Sequence, residues 1–256
     1  MRLTAAAARR LGLDCQVVLA GEPPGRASGN LVIDALLGPT VAWAGAGGLA
    51  TVEQALADTE AELRRRGRKV YAIPVGGANA VGSQGYLDAA AELTCALPEL
   101  TLVVVPTASG GTHAGLSVGL GSHDRVLGVN VGAFPDVADR IRVLASRTAD
   151  LAGRPRPAGV PRVDERYTSA GYGAELAEVL DAMRLAARTE ELILDPVYTG
   201  KALAAVAAGL REGSLLPEGP VVFVHCGGAY GLLSDRYSHW VSDEPPRRAA
   251  VSESTP

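Results

Sequence analysis

Apolar and polar positions alternate in blocks along this chain, and the blocks read as strands and helices in turn. An amphipathic helix opens it (MRLTAAAARRLGLDC), followed by a strand at 15–19 (CQVVL). A polar Gly-Glu-Pro-Pro-Gly loop then leads to a helix over 29–37 and a short strand at 41–44. A charged helix over 51–66 precedes another short strand at 70–74, and 85–97 is helical. Strands are expected at 102–105 and 125–131, a helix over 174–187, and a late buried strand at 221–225 (VVFVH). Short β-branched runs separated by helices predict mostly parallel sheets with crossover helices. Residues 154–163 form a Pro/Arg-rich loop, and 242–256 have the composition of a disordered tail. There is no internal repeat.

The most informative stretch is VVVPTASGGTHAGLSVGL, residues 103–120. Three valines end in the small-residue turn Ser109-Gly110-Gly111-Thr112, which runs into a helix start. The first backbone N–H groups of a helix have no intrahelical partner, and glycines let a phosphate approach them. Such a turn serves equally well for tight strand–helix packing, so the local pattern leaves both readings open. Two further glycine junctions, Gly76-Gly77 and Gly227-Gly228, each follow an apolar strand-like run. Open α/β sheets bind ligands at such strand ends.

Other candidates are weaker. In DPVYTGK, residues 195–201, Pro196 stops a helix and Gly200 permits a turn, so Tyr198 and Thr199 are expected on a loop. Tyr198 is either a proton donor or acceptor or a ring capping the core. Tyr172 lies between Gly171 and Gly173 ahead of a helix, beside a ligand or merely in an entry loop. Cys226 either faces a ligand or is a small buried hydrophobe. His225 reads as a packed strand residue and His113 as a capping or packing one, whereas His123 and His239 lie in polar surroundings. No His, Cys or carboxylate spacing fits a metal site.

Composition narrows the partners. The 256 residues are 47% hydrophobic with a net charge of −4, which offers no basic surface for nucleic acid. Cys15, Cys95 and Cys226 are widely spaced and odd in number, which argues against a disulfide framework and for a reducing cytoplasm. No run reaches about 18 apolar residues and no signal peptide is evident, so no membrane span is expected. Lysine occurs only at Lys69 and Lys201.

The segments RKVYAIPVGGANAVGSQGY, VVVPTASGGTHAGL, AGYG, LILDPVYTGKAL and VVFVHCGG, in this order, resemble the D-cysteine desulfhydrase and 1-aminocyclopropane-1-carboxylate deaminase family. The resemblance runs from Met1 to about residue 232. It implies pyridoxal phosphate as cofactor and the tryptophan-synthase β-type fold (fold type II). That fold has two three-layer α/β/α domains with mostly parallel sheets. Residues 1–83 would be what remains of the small domain and 84–241 the large cofactor-binding domain. Ser109, Gly110, Gly111 and Thr112 match the loop that holds the cofactor phosphate, and Tyr198 and Tyr172 match the tyrosines on the substrate side. Thr199 and Cys226 match positions around the pyridine nitrogen. Deaminases of the family carry Tyr-Glu where this chain has Tyr198-Thr199. A threonine cannot hold the ring nitrogen protonated as a carboxylate would, which suits elimination of a good leaving group better than ring opening. Cys226 replaces the family's threonine, and a thiol is a poorer hydrogen-bond partner.

The resemblance therefore implies a lyase that eliminates sulfide from D-cysteine or a similar small amino acid, giving pyruvate and ammonia. The alternatives are a cyclopropane-carboxylate deaminase, a cysteate sulfo-lyase, or a non-catalytic protein that binds a phosphate ligand. A homodimer is expected on the same ground. The chain begins just past the family's Ser-Asn-His segment, so the Schiff-base lysine is expected upstream of Met1, from a truncated or misassigned start. Neither Lys69 nor Lys201 matches it by motif.

Overall fold

The computed structural model describes residues 1–168, 170–215 and 218–242. The first part contains α1 (Arg2–Arg10), β1 (Gln16–Leu19), α2 (Asn30–Leu37), β2 (Thr40–Trp43) and α3 (Gly48–Arg65). The chain continues through the short α4 (Ala80–Ser83), α5 (Gly85–Ala96), β3 (Leu102–Thr107), α6 (Gly111–Leu120) and β4 (Val126–Asn130). Then come α7 (Val137–Ala152), β5 (Arg162–Asp164), α8 (Ala177–Thr189) and α9 (Thr199–Glu212). The last elements are β6 (Val221–Phe223), α10 (Ala229–Leu232) and α11 (Asp235–Ser242).

β1 and β2 pair in parallel as a two-stranded sheet, and a four-stranded parallel sheet has the order β5-β4-β3-β6. β3 lies at its centre and is buried along its whole length. Strand side chains alternate between faces, so Leu102 and Val104 pack with Val179, Met183, Ala202 and Ala205 of α8 and α9. Val103 and Val105 face the other way, onto Leu116 and Leu120 of α6 and Ala90 of α5. The result is a sheet between two helical layers, which is why β3 has no polar face. Each of these valines contributes on the order of 2 kcal/mol by leaving water.

Parallel strands place all their carboxyl ends on one edge, and three segments of the site follow such ends. Ser109–Thr112 comes after β3, Gly132 after β4, and Cys226 after β6.

Several expectations change. Residues 70–74 form no strand among the described residues. Their apolar run finds no neighbouring strand among the described residues, and the Val70 carbonyl accepts instead from the Arg64 guanidinium at 3.2 Å. The loop expected over 154–163 ends inside β5, which pairs with β4. Helix α7 is an element the pattern reading did not predict; Val137, Ile141, Leu144, Ala145, Thr148 and Ala149 form its buried stripe. Tyr198 and Thr199 are not in a loop: Tyr198 caps α9 and Thr199 is its first residue. The last strand stops at Phe223, so His225 and Cys226 lie beyond it. Of the expected tail, Ser242 ends α11 and 243–256 lie outside the described residues. No helix among the described residues is long and apolar enough to cross a membrane.

Candidate active site

The turn after β3 is a helix-entry cradle. Gly110 sits in the left-handed region at φ 88°, where a glycine costs least, and reverses the chain into α6. The first backbone bond at this end is Ala114 N–H to Gly110 C=O, so the N–H groups of Gly111, Thr112 and His113 precede the helical ladder. Gly110 and Gly111 are buried, whereas Ser109 and Thr112 are partly open. A second turn, Val75–Gly77, closes over the first. A side chain at Gly76 would collide with the Ser109 hydroxyl, and one at Gly111 would meet Ala78 at 3.4 Å. Beside Gly111 lies the Ser83 hydroxyl, buried and without a hydrogen-bond partner. Cradle N–H groups, two hydroxyls and an orphaned third donor converge on a volume that Cβ atoms would fill.

The second half of the site is built on Asp195. This buried carboxylate accepts from the N–H groups of Val197, Tyr198 and Thr199 and from the Thr199 hydroxyl, all within 2.7–2.9 Å. The Thr199 oxygen in turn accepts from the Asp195 N–H at 2.9 Å. Four donors on one carboxylate fold the DPVY segment into a tight entry to α9 and aim Tyr198 outward. The Tyr198 hydroxyl meets that of Tyr172 at 2.6 Å, with the two rings edge to face. Burial raises both phenols above their usual range; for Tyr198 the neighbouring Tyr172 and the Asp195 charge add to the shift. Both phenols are therefore neutral at physiological pH, so one donates and the other accepts.

Cys226 stands next to this carboxylate at the exposed start of the loop, and its thiol is pushed up to about 11, first by the protein packed around the sulfur and then by the Asp195 charge. A side chain at Gly228 would strike Asp195 directly. The loop after β6 and the DPVY turn are thus in van der Waals contact. His225 is exposed, not a packed strand residue, and its ring bonds the Ile193 carbonyl at 3.0 Å and the Gly227 N–H at 3.2 Å.

A profile described as "Pyridoxal-phosphate dependent enzyme" matches residues 2–227. The chain belongs to this family. A D-cysteine desulfhydrase of Klebsiella pneumoniae (strain 342) is 35% identical over 247 residues, 91% of this chain and 74% of the relative. The crystal structure of an ACC deaminase homologue superposes with a TM-score of 0.84 at 32% identity, covering 93% of this chain and 73% of that one. A fungal L-serine ammonia-lyase from Rhizomucor miehei, at 19% identity and TM-score 0.53, covers 86% of this chain and 72% of its own and shares the fold. This pyridoxal-phosphate enzyme has the fold type II architecture, and pyridoxal phosphate is its cofactor.

The cradle fits the cofactor's phosphate: N–H donors at a helix start, the hydroxyls of Ser109 and Thr112, and room made by Gly76 and Gly111. A covalent anchor is not among the described residues of the site. Lys69 is exposed beside the unpaired 70–74 segment, and the Lys201 amine is buried on two backbone carbonyls. Thr199 and Asp195 are committed to each other, so Thr199 acts through the turn it holds. Sequence reasoning missed Asp195 as the organiser. An Asp directly before Pro, with N–H groups two to four residues on, is the signal that would have found it.

Proposed function

We propose that this enzyme is a lyase of the D-cysteine desulfhydrase type, converting D-cysteine and water to pyruvate, ammonia and hydrogen sulfide. The observation that carries this reading is the Tyr172–Tyr198 hydroxyl pair, seated on a turn whose own carboxylate is fully engaged. The similarity to a D-cysteine desulfhydrase across most of the chain supports it. When bound, the cofactor draws electrons from the substrate's α-carbon. The cradle Ser109, Gly110, Gly111 and Thr112 would fix the phosphate, with Cys226 beside the ring and Thr199 acting through the turn it holds with Asp195. A neutral phenol pair keeps an O–H that can donate a hydrogen bond to a departing thiolate; with both phenols raised above their usual range, the pair steadies the leaving sulfur without giving up its proton. Cys226, kept as a neutral thiol, offers the ring no charge.

A second reading rests on a separate observation. The Lys201 amine is held on two backbone carbonyls and Lys69 is exposed, which suits a protein that binds the phosphate ligand without turnover. Homodimer formation and a cytoplasmic setting belong to the same proposal as the lyase reading. They are supported by exposed Leu3, Leu36 and Tyr71 and by three unpaired cysteines. So does a division into units of 1–83 and 84–241, supported by the two separate sheets.

The test is to supply pyridoxal phosphate and D-cysteine and to measure pyruvate and sulfide together. The lyase reading expects both in equal amounts, and a drop of roughly 100-fold in Tyr198→Phe, in the range of a lost hydrogen-bond donor to developing charge. α-Ketobutyrate from 1-aminocyclopropane-1-carboxylate instead would assign the deaminase. Sulfite from cysteate would assign the sulfo-lyase. Saturable cofactor binding with no product would leave the non-catalytic reading.

A further inference from the structure

Lys201 lies in the first turn of α9, fully buried. Its amine donates to the Val131 carbonyl at 3.1 Å and to the Tyr167 carbonyl at 2.9 Å. Among the described residues no carboxylate pairs with it, and burial lowers its pKa. A buried amine without a counter-charge costs stability, and an apolar side chain of the same length would avoid that cost. Core stability is therefore a poor account of a lysine at this position, and its two acceptors supply a better one.

Val131 follows β4 and is bonded through its N–H to the carbonyl of Thr107, the last residue of β3. Tyr167 begins the turn that carries Tyr172; within it Gly171 N–H bonds the Thr168 carbonyl at 2.8 Å. The two segments that Lys201 joins are already close. A side chain at Gly132 would meet Gly171 at 3.3 Å and the Tyr172 nitrogen at 3.4 Å. On its far side the turn is pinned by the Tyr237 hydroxyl and Arg236, both donating to the Gly173 carbonyl. Tyr198 caps the same helix that carries Lys201, and its carbonyl accepts from the Ala202 N–H.

We propose that Lys201 is a positioning residue for the tyrosine pair. Its two hydrogen bonds refer the Tyr172 turn to the helix that carries Tyr198, so that the two hydroxyls meet. The importance of this clip rests on the reading of Tyr172 and Tyr198 as the working pair. The clip itself is a property of the protein without substrate or cofactor.

The experiment labels tyrosine rings with carbon-13 and follows the Tyr172 and Tyr198 resonances by NMR from pH 7 to pH 11. Tyr172→Phe and Tyr198→Phe provide the assignments. In the parent protein both phenols should titrate above the usual tyrosine range. In Lys201→Met, which is one atom shorter and loses both bonds, the hydroxyl contact should open, so that both resonances shift and Tyr198, losing its partner, titrates earlier. Leu87→Ala, a cavity variant in α5, should leave them in place although it destabilises the core. Lys201→Gln keeps N–H donors one bond shorter and should give an intermediate shift, and it serves if the Met variant does not fold. Unchanged resonances in whichever Lys201 variant folds would overturn the proposal, as would an equal shift in Leu87→Ala. Failure of both Lys201 variants to fold would assign the lysine to the core instead. Because no turnover is measured, the clip and the lyase reading stand or fall separately.

Discussion

Asp195 shows how much one residue determines here. Its carboxylate shapes the turn before α9, holds Thr199, raises the Cys226 thiol and leaves no space at Gly228. Gly227 and Gly228 make the last point testable, because both sit at nearly the same positive φ, 104° and 105°. A methyl at Gly227 would meet only the Arg2 side chain, at 3.9 Å, whereas one at Gly228 would lie 2.6 Å from the Asp195 Cβ. Gly227→Ala should therefore cost only backbone strain, on the order of 1 kcal/mol. Gly228→Ala should add an overpacking cost of roughly 1–3 kcal/mol. Urea denaturation of the two variants compares them, and equal midpoints would remove Asp195 from the account.

At the scale of elements, α6 carries an unusual load. It is buried on nearly every side, and His113 in its first turn is fully buried with neither ring nitrogen hydrogen-bonded. His123, expected in polar surroundings, is buried as well, with its ring centroid 6.4 Å from that of His113. Burial drives the His113 pKa down to about 3 and lowers that of His123. The unfolded chain takes up protons near pH 6.5 that the folded chain refuses, so stability is complete above that pH and declines as pH falls below it. The slope approaches about 1.4 kcal/mol per pH unit for each such histidine. Urea midpoints between pH 7.5 and 5 should fall, and His113→Leu should flatten the fall; an unchanged slope would exclude His113 as its source. The burial of His123 was not legible because its neighbours in sequence, Ser122 and Asp124, are polar. It is covered by packing against a helix ten residues earlier. Helix α7 was legible in principle, since its buried residues repeat at helical spacing, but its interspersed arginines and aspartates and the Pro135 before it obscure the stripe. Residues 70–74 fail in the opposite direction, with a strand-like apolar run but no pairing partner among the described residues. A strand is decided by its neighbours as much as by its own pattern.

For the molecule as a whole, the parallel sheet and its loaded carboxyl edge could be read from β-branched runs and glycine junctions, because both signals are local. The hydroxyl pair could not, since Tyr172 and Tyr198 are brought together by Asp195, Gly132 and Lys201 from separate segments. The scarcity of lysine has a practical consequence. Of the two lysine side chains, Lys69 is open to solvent and Lys201 is sealed inside. An amine-reactive label applied to the native protein should therefore modify the Lys69 side chain and spare that of Lys201, as peptide mass spectrometry would show. Rapid native labelling at Lys201 would contradict its burial. Conjugation can thus be directed to one lysine without engineering, and the slow appearance of label on the other serves as a clock for the opening of the fold around it.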